Sequence, residues 1–354
     1  MNNIKKIQHS LCDYDFDAML IASPASRIFT GGFASSAGAY LITADAAWFF
    51  VDPRYVEAAK EKISGAEILL ITKDETLSRK IGKLVQYKGI ASVGFEESWV
   101  TYSLYLELEK QLKVPLKPGQ KLINDLRAIK SREDLDGMIK AQRIAEKSLE
   151  EIMPLINNDI TERELAAKLV YQLIKNGADD KAFDPIIVSG PRSSLPHGVP
   201  TNEKIENGFL TIDWGARVDG WCSDCTRTFS VGEPTEEMIK IYGTVLKAQN
   251  AGIDAVCANA SCKDVDTAAR TVIEDAGYGE YFGHGFGHGL GLEVHESLRA
   301  SQLSNDILPA GAVLTAEPGI YLPGKYGVRI EDTIFVTESG CENITKFPKN
   351  LIVI

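Results

Sequence analysis

The segment FLTIDWGARVDGWCSDCTRTF, residues 209–229, most constrains what this chain can fold into. Two runs rich in β-branched and aromatic residues flank Asp219-Gly220, a pair that favours the positive φ angles of a tight hairpin turn. With those two residues at the turn, Thr226 lies opposite Asp213, and Asp224 is two residues from Thr226. Side chains alternate with a period of two, so Asp213 and Asp224 share one face as diagonal neighbours. Two carboxylates placed there repel unless protons or cations neutralise them, so the pair asks for a metal. A solvent-facing strand position would satisfy a lone Asp, but it leaves the other acids and histidines unexplained.

Those others begin in YFGHGFGHGLGLEVHE, residues 281–296, which holds His284, His288 and His295 of the chain's five histidines. Glycine at 283, 285, 287, 289 and 291 disfavours a helix, which removes a zincin-type reading of the His-x-x-x-His spacing. The run also fails G-x-G-x-x-G in every register, which removes a dinucleotide site. Alternate glycines instead allow close backbone approach. Next come Glu317, ahead of Pro318-Gly319, and Glu331, inside an otherwise β-branched and apolar run. A glutamate in that setting is costly unless paired or ligating. An ion pair between Arg329 and Glu331 is the bland alternative, and it does not account for Glu317. Four carboxylates and at least one imidazole form an oxygen-rich set suited first to Mn²⁺ or Co²⁺, with Zn²⁺ or Fe²⁺ as alternatives. The acids are too many for one ion, and two ions ~3.5 to 4 Å apart generate a bridging hydroxide that attacks a polarised carbonyl. The reaction class expected is metal-assisted hydrolysis.

The rest of the 354 residues excludes several other classes. A net charge of -11 argues against nucleic acid, whose binding needs a concentrated Lys/Arg surface. The opening MNNIKKIQHSLCDYDFDAML lacks the unbroken apolar stretch of an export signal. Apolar runs such as AWFFV fall far short of the ~20 residues that cross a bilayer. A cytoplasmic protein without membrane contact is therefore expected. Six cysteines fit a reducing compartment, and Cys222 and Cys225, three apart in a β-like run, point to opposite faces and read as packing residues.

From Asp17 to about residue 125, strand-like runs (AMLIAS, AYLIT, AWFFVD, AEILLIT, ASVGF) alternate with helical stretches such as PRYVEAAKEKI and TYSLYLELEKQL, an α/β pattern. The segment VPLKPGQ interrupts it, and the domain boundary is placed at 125, giving domains 1–125 and 126–354. Beyond it the order is helix (about 131–156), helix (162–175), strands, helix (235–258), helix (263–276) and strands again. Thr161 and Glu164 form a capping box for the second helix, and Asn176-Gly177 a stop. Two rounds of helix, helix, sheet suggest an α+β domain with pseudo-twofold symmetry.

The residues resemble the pita-bread metallopeptidases, which include methionine aminopeptidase, aminopeptidase P and Xaa-Pro dipeptidase (prolidase). T-x-D-x-G…SDxTRTF, GHGxGLEVHE, AEPGIY and VRIEDT appear in order across roughly 130–354, and the N-terminal half, with VDPRYVEAA, resembles the creatinase-type amino-terminal domain. The resemblance implies Asp213 as terminal ligand of one metal, His288 and Glu317 on the other, and Asp224 and Glu331 bridging both. It makes Glu317 the proton acceptor and sets His197, His284 and His295 around the substrate, with His197 and His295 at the reacting carbonyl and leaving group. Arg299 and Arg329 are implied on the substrate side, Arg329 also supporting the site beside Glu331. No ligand of the pattern is missing, whereas creatinase and scaffold relatives have lost ligands.

The bond before proline is a tertiary amide without an N–H, so it needs a dedicated pocket. The extra N-terminal domain implies an exopeptidase acting on short Xaa-Pro peptides and forming a homodimer. Xaa-Pro dipeptidase is slightly favoured, aminopeptidase P is the close alternative, and a non-catalytic binding protein on the same fold is the alternative from another class.

Overall fold

The computed structural model describes residues 3–354, in two compact units that divide between Arg127 and Ala128. In the first unit a six-stranded sheet runs in the order Glu67–Leu70, Ala47–Val51, Ala39–Thr43, Ala18–Ile21, Val93–Phe95, Leu116–Pro118. Every residue of Ala47–Val51 is buried, the mark of a strand covered on both faces. VPLKPGQ, read from sequence as an interruption, instead supplies the last strand. Pro118 is accommodated because an edge position leaves its missing N–H without a ladder partner to lose.

The second unit repeats one plan twice. Helices Arg132–Ile152 and Glu162–Lys175 pack on strands Ile186–Ser189, Gly208–Trp214 and Cys225–Val231, burying Leu149, Leu169, Ile212 and Trp214 in one core. Helices Glu236–Asp254 and Cys262–Asp275 pack on a five-stranded sheet, burying Val245, Ala269, Phe286 and Ile334 in another. Helix ends follow local chemistry. Ser131 with Asp134, and Thr161 with Glu164, form reciprocal capping boxes, and Gly177 takes φ 102° just past the second helix. The first helix stops at Ile152, short of the expected 156. Pro154, which has no N–H for another helical bond, sits in the 3₁₀ turn that follows.

The hairpin has the expected register, with Val218 opposite Trp221 and Asp213 opposite Thr226. Asp219 and Gly220 both take positive φ, at 52° and 88°. The ladder breaks at Ser223-Asp224, however, where a Cβ on Gly215 would lie 2.0 Å from the Ser223 carbonyl oxygen. Asp224 therefore sits at a kink rather than in a regular strand. Cys222 and Cys225 are buried free thiols in two different clusters, as packing residues on opposite faces would be.

One seam joins the two halves. Glu331 donates its N–H to the Thr226 carbonyl (3.1 Å), and Thr228 Oγ1 donates to the Arg329 carbonyl (3.0 Å). Buried Arg227 crosses the same seam, donating to Asp332 Oδ1 (2.8 Å), to the Glu331 carbonyl and to the Phe347 carbonyl.

Strand Gly287–Gly289 lies between Glu296–Ala300 and Val313–Ala316. A Cβ at Gly287 would come within 1.9 Å of the Thr315 carbonyl oxygen, so the strand fits only with glycine there. Gly287→Ala is expected to cost about 1–3 kcal/mol of stability through backbone displacement. A urea midpoint equal to the parent's would contradict this.

Candidate active site

The five side chains expected to ligate converge from the two halves. Asp213 and Asp224 come from the first sheet and its kink, His288 from the glycine-flanked strand, Glu317 from just beyond Val313–Ala316, and Glu331 from the short link between Tyr326–Arg329 and Asp332–Thr337. Asp224, His288 and Glu331 each bring a ligand atom within 4.8 Å of the others. His288 Nε2 lies 3.2 Å from Glu317 Oε1 and 3.7 Å from Asp224 Oδ2. With Nδ1–H directed at the Gly289 carbonyl (3.2 Å), Nε2 is left facing two carboxylates, a placement that needs a proton or a cation between them.

Small donors orient the acids without neutralising them. Thr226 Oγ1 donates to Glu331 Oε2 (2.7 Å) and itself accepts from Arg329 Nε (3.1 Å). Thr315 Oγ1 donates to Glu317 Oε1 (3.0 Å) and accepts the His288 N–H (2.9 Å). Asp213 Oδ1 and Glu331 Oε1 remain buried with no hydrogen-bond partner. Asp224 is 4 % exposed and Glu331 1 %. Burial pushes both carboxyls well above the ordinary range, and repulsion from neighbouring acids adds to it. Burial also raises Asp213, against the pull of Arg329. Burial opposes ionisation of Glu317 too, but His288, His284 and Arg329 outweigh it and bring that carboxyl down to about 2. Orphaned oxygens, mutual repulsion and an imidazole nitrogen aimed inward all fit bound divalent ions, and the oxygen-rich donor set suits hard or borderline metals.

The cluster forms the floor of a cavity of about 630 Å³. His197, His284, His295 and Arg299 line it, along with the apolar Phe183, Ile186 and Val294. The His295 ring lies 4.4 Å from that of His288, and burial, with the charges of His288 and Arg299, depresses its pKa. His284 has both ring nitrogens engaged, Nδ1 with the Gly285 carbonyl and Nε2 with the Tyr321 hydroxyl, each at 2.9 Å. Burial holds it toward the neutral form.

Arg329, expected on the substrate side, lines the same cavity and has its guanidinium engaged by protein partners. Its guanidinium donates to Asp213 Oδ2 (2.7 Å), Tyr321 Oη (2.9 Å), Thr226 Oγ1 and the Pro196 carbonyl (3.1 Å each). It is a buried clamp on Asp213, and the alternative ion pair with Glu331 does not form. Thr226, Thr315 and Tyr321 were missed from sequence. The hairpin register already set Thr226 opposite Asp213, and Thr315 lies two residues before Glu317 at the end of a strand, so both had a signal. Tyr321 had none beyond its place in AEPGIY.

Opposite His295, the chain is pinned by a buried pair. Lys130 Nζ reaches Glu296 Oε2 at 2.8 Å, and Glu296 Oε1 accepts the Leu292 N–H at 3.0 Å. No helix among the described residues is long and apolar enough to cross a membrane.

Such a constellation on an α+β scaffold of two similar halves defines a metal-dependent hydrolase. Residues 136–338 match the model of metallopeptidase family M24, and residues 3–129 match that of the creatinase/prolidase N-terminal domain. The chain belongs to metallopeptidase family M24. It is 40% identical over 352 residues to a Xaa-Pro dipeptidase of Pyrococcus horikoshii, covering 99% of this chain and 98% of that one. A solved Xaa-Pro dipeptidase from Bacillus anthracis is 39% identical with a TM-score of 0.96, covering 99% of both chains. An X-Pro aminopeptidase structure from Thermotoga maritima is 34% identical with a TM-score of 0.91, covering 98% of this chain and 100% of its own.

In metal-free protein, the raised carboxyls Asp224 and Glu331 keep protons that the unfolded chain has released, so their contribution to stability falls as pH rises above ~4. Asp224→Asn removes one such group. Its stability relative to the parent, measured by thermal melting in chelator, is expected to rise progressively from about pH 4 toward neutrality. A gap that does not change with pH would contradict the electrostatic account.

Proposed function

We propose that this enzyme cleaves the bond preceding proline in short peptides, as a Xaa-Pro dipeptidase that uses two divalent ions, with Mn²⁺ favoured. One observation carries the reading: the orphaned carboxylate cluster lies at the floor of a histidine-lined cavity in a chain matching Xaa-Pro dipeptidases over nearly its whole length. Asp213, Asp224, His288, Glu317 and Glu331 would hold the ions. When bound, these supply a water activated near neutral pH and polarise the substrate carbonyl.

The chain's own residues do the rest. Glu317, kept ionised in the metal-free site, accepts the proton of the attacking water and returns it to the departing proline nitrogen. His197 and His295, both exposed to the cavity, contact the carbonyl and the leaving side. His284 forms a fixed part of the cavity wall, since its ring nitrogens are already engaged. Arg329 holds Asp213 in place. Arg299, exposed at the cavity, takes the carboxylate just beyond proline, which is the contact a dipeptidase needs. The same cavity with that side left open would serve an aminopeptidase P, a reading that the resemblance to the Thermotoga maritima structure keeps alongside. A cytoplasmic homodimer completes the reading.

Ala-Pro and Ala-Pro-Ala, each with Mn²⁺ and with chelator, separate the two activities. Metal-dependent cleavage of the dipeptide alone is expected. Cleavage of the tripeptide would move the assignment to an aminopeptidase, and inertness toward both with metal bound would end the Xaa-Pro reading. Glu317→Gln is expected to lower kcat by about 10²–10⁴-fold, and near-parental turnover would remove Glu317 from its role.

A further inference from the structure

The segment Phe282–Gly287 carries His284 between two glycines, so its backbone has little local reason to hold one conformation. It is held from outside, and one helix supplies several of the contacts. Arg270, on helix Cys262–Asp275, donates Nη1 to the Phe282 carbonyl (2.9 Å) and Nη2 to the His284 carbonyl (2.7 Å). Its guanidinium carbon stands 4.1 Å from the centre of the Phe282 ring, and that ring meets the His284 imidazole edge to face with centroids 5.1 Å apart. Asp266, one turn earlier on the helix and fully buried, accepts from Arg270 Nε (2.8 Å) and Nη2 (3.1 Å) and from the Phe286 N–H (2.9 Å). Gln302 Nε2 also donates to Asp266 Oδ2, at 2.6 Å.

We infer that Arg270, oriented by Asp266, is the positioning residue that fixes His284 in the cavity wall. It is neither one of the clustered acids and histidines nor a lining residue of the cavity, so its effect on turnover passes through the segment it grips. The Phe286 peptide extends the grip, because its carbonyl accepts the Glu317 N–H (2.8 Å) while Asp266 holds its N–H. The fork geometry of guanidinium is essential here. One planar group binds a carboxylate and two carbonyls while lying against an aromatic ring, and an ammonium cannot reproduce that pattern.

Arg270→Lys isolates the point, since it keeps a cation for the buried Asp266. The activity arm of the test rests on the Xaa-Pro reading, whereas the exchange arm does not. Amide hydrogen exchange in a peptide spanning residues 282–287 is expected to accelerate about tenfold or more in the variant, with the thermal midpoint within a few degrees of the parent. On the Xaa-Pro peptide that the parent cleaves with Mn²⁺, kcat/KM is expected to fall about tenfold to a hundredfold. In a His284→Ala background the same change is expected to cost less than about threefold, because the side chain being positioned is gone. Unchanged exchange in 282–287 would overturn the inference whatever the activity. An equal fall in both backgrounds would overturn it as well, by showing that Arg270 does not act through His284. If the parent cleaves no Xaa-Pro peptide, the functional reading fails and the exchange result alone decides the clamp.

Discussion

The second unit is organised around the repulsion among three buried carboxylates and a fourth that is partly exposed. Asp213, Asp224, Glu317 and Glu331 meet at the floor of one cavity, and two of their oxygens have no partner within the protein. Leaving such atoms buried is expensive, and a folded chain keeps them only where surrounding structure holds them against the strain. The surroundings here are well suited to that. Thr226 and Thr315 orient one carboxylate each, Arg329 clamps a third, and Arg227 stitches the backbone on either side of Glu331. Arg329 offsets the charge of Asp213, but the threonine hydroxyls carry no charge, so the remaining acids keep the site receptive to cations.

The same logic explains why three of the expected ligands sit where regular structure is interrupted. Asp224 occupies a kink at the close approach of Gly215 and Ser223, Glu317 follows the end of a strand, and Glu331 lies in the link between two strands. In each case one side chain is turned out of the alternating pattern, while the strand beside it stays locked by its ladder. Precision comes from the sheets and direction from the breaks.

Much of this was legible in the sequence, for identifiable reasons. Asp219-Gly220 specifies its own turn type, so the pairing of Asp213 with Thr226 followed from local chemistry. The glycine-rich run declared itself non-helical, and Thr161 with Glu164 marked a helix start. What escaped depends on contacts distant along the chain. Arg329 shares a face with Glu331 by strand periodicity, yet its nearest acid is Asp213, 116 positions away. The clamp of Arg270 on the Phe282 and His284 carbonyls is likewise invisible, since a lone i,i+4 Asp-Arg pair on a helix reads as ordinary surface chemistry. Leu116–Pro118 was taken for a breaker because proline says only that a ladder bond is missing, not that an edge is available to tolerate the loss.

The groups expected to ligate are divided between the halves, with Asp213 and Asp224 on one core and His288, Glu317 and Glu331 on the other. Any ion bound among them is therefore also a removable cross-link across the seam between Cys225–Val231 and Tyr326–Glu331. A ligand that binds only the folded state holds such a seam shut, and its withdrawal raises the fraction of molecules open to proteolysis. Withdrawing an ion from such a position would therefore loosen the fold as well as stop the chemistry.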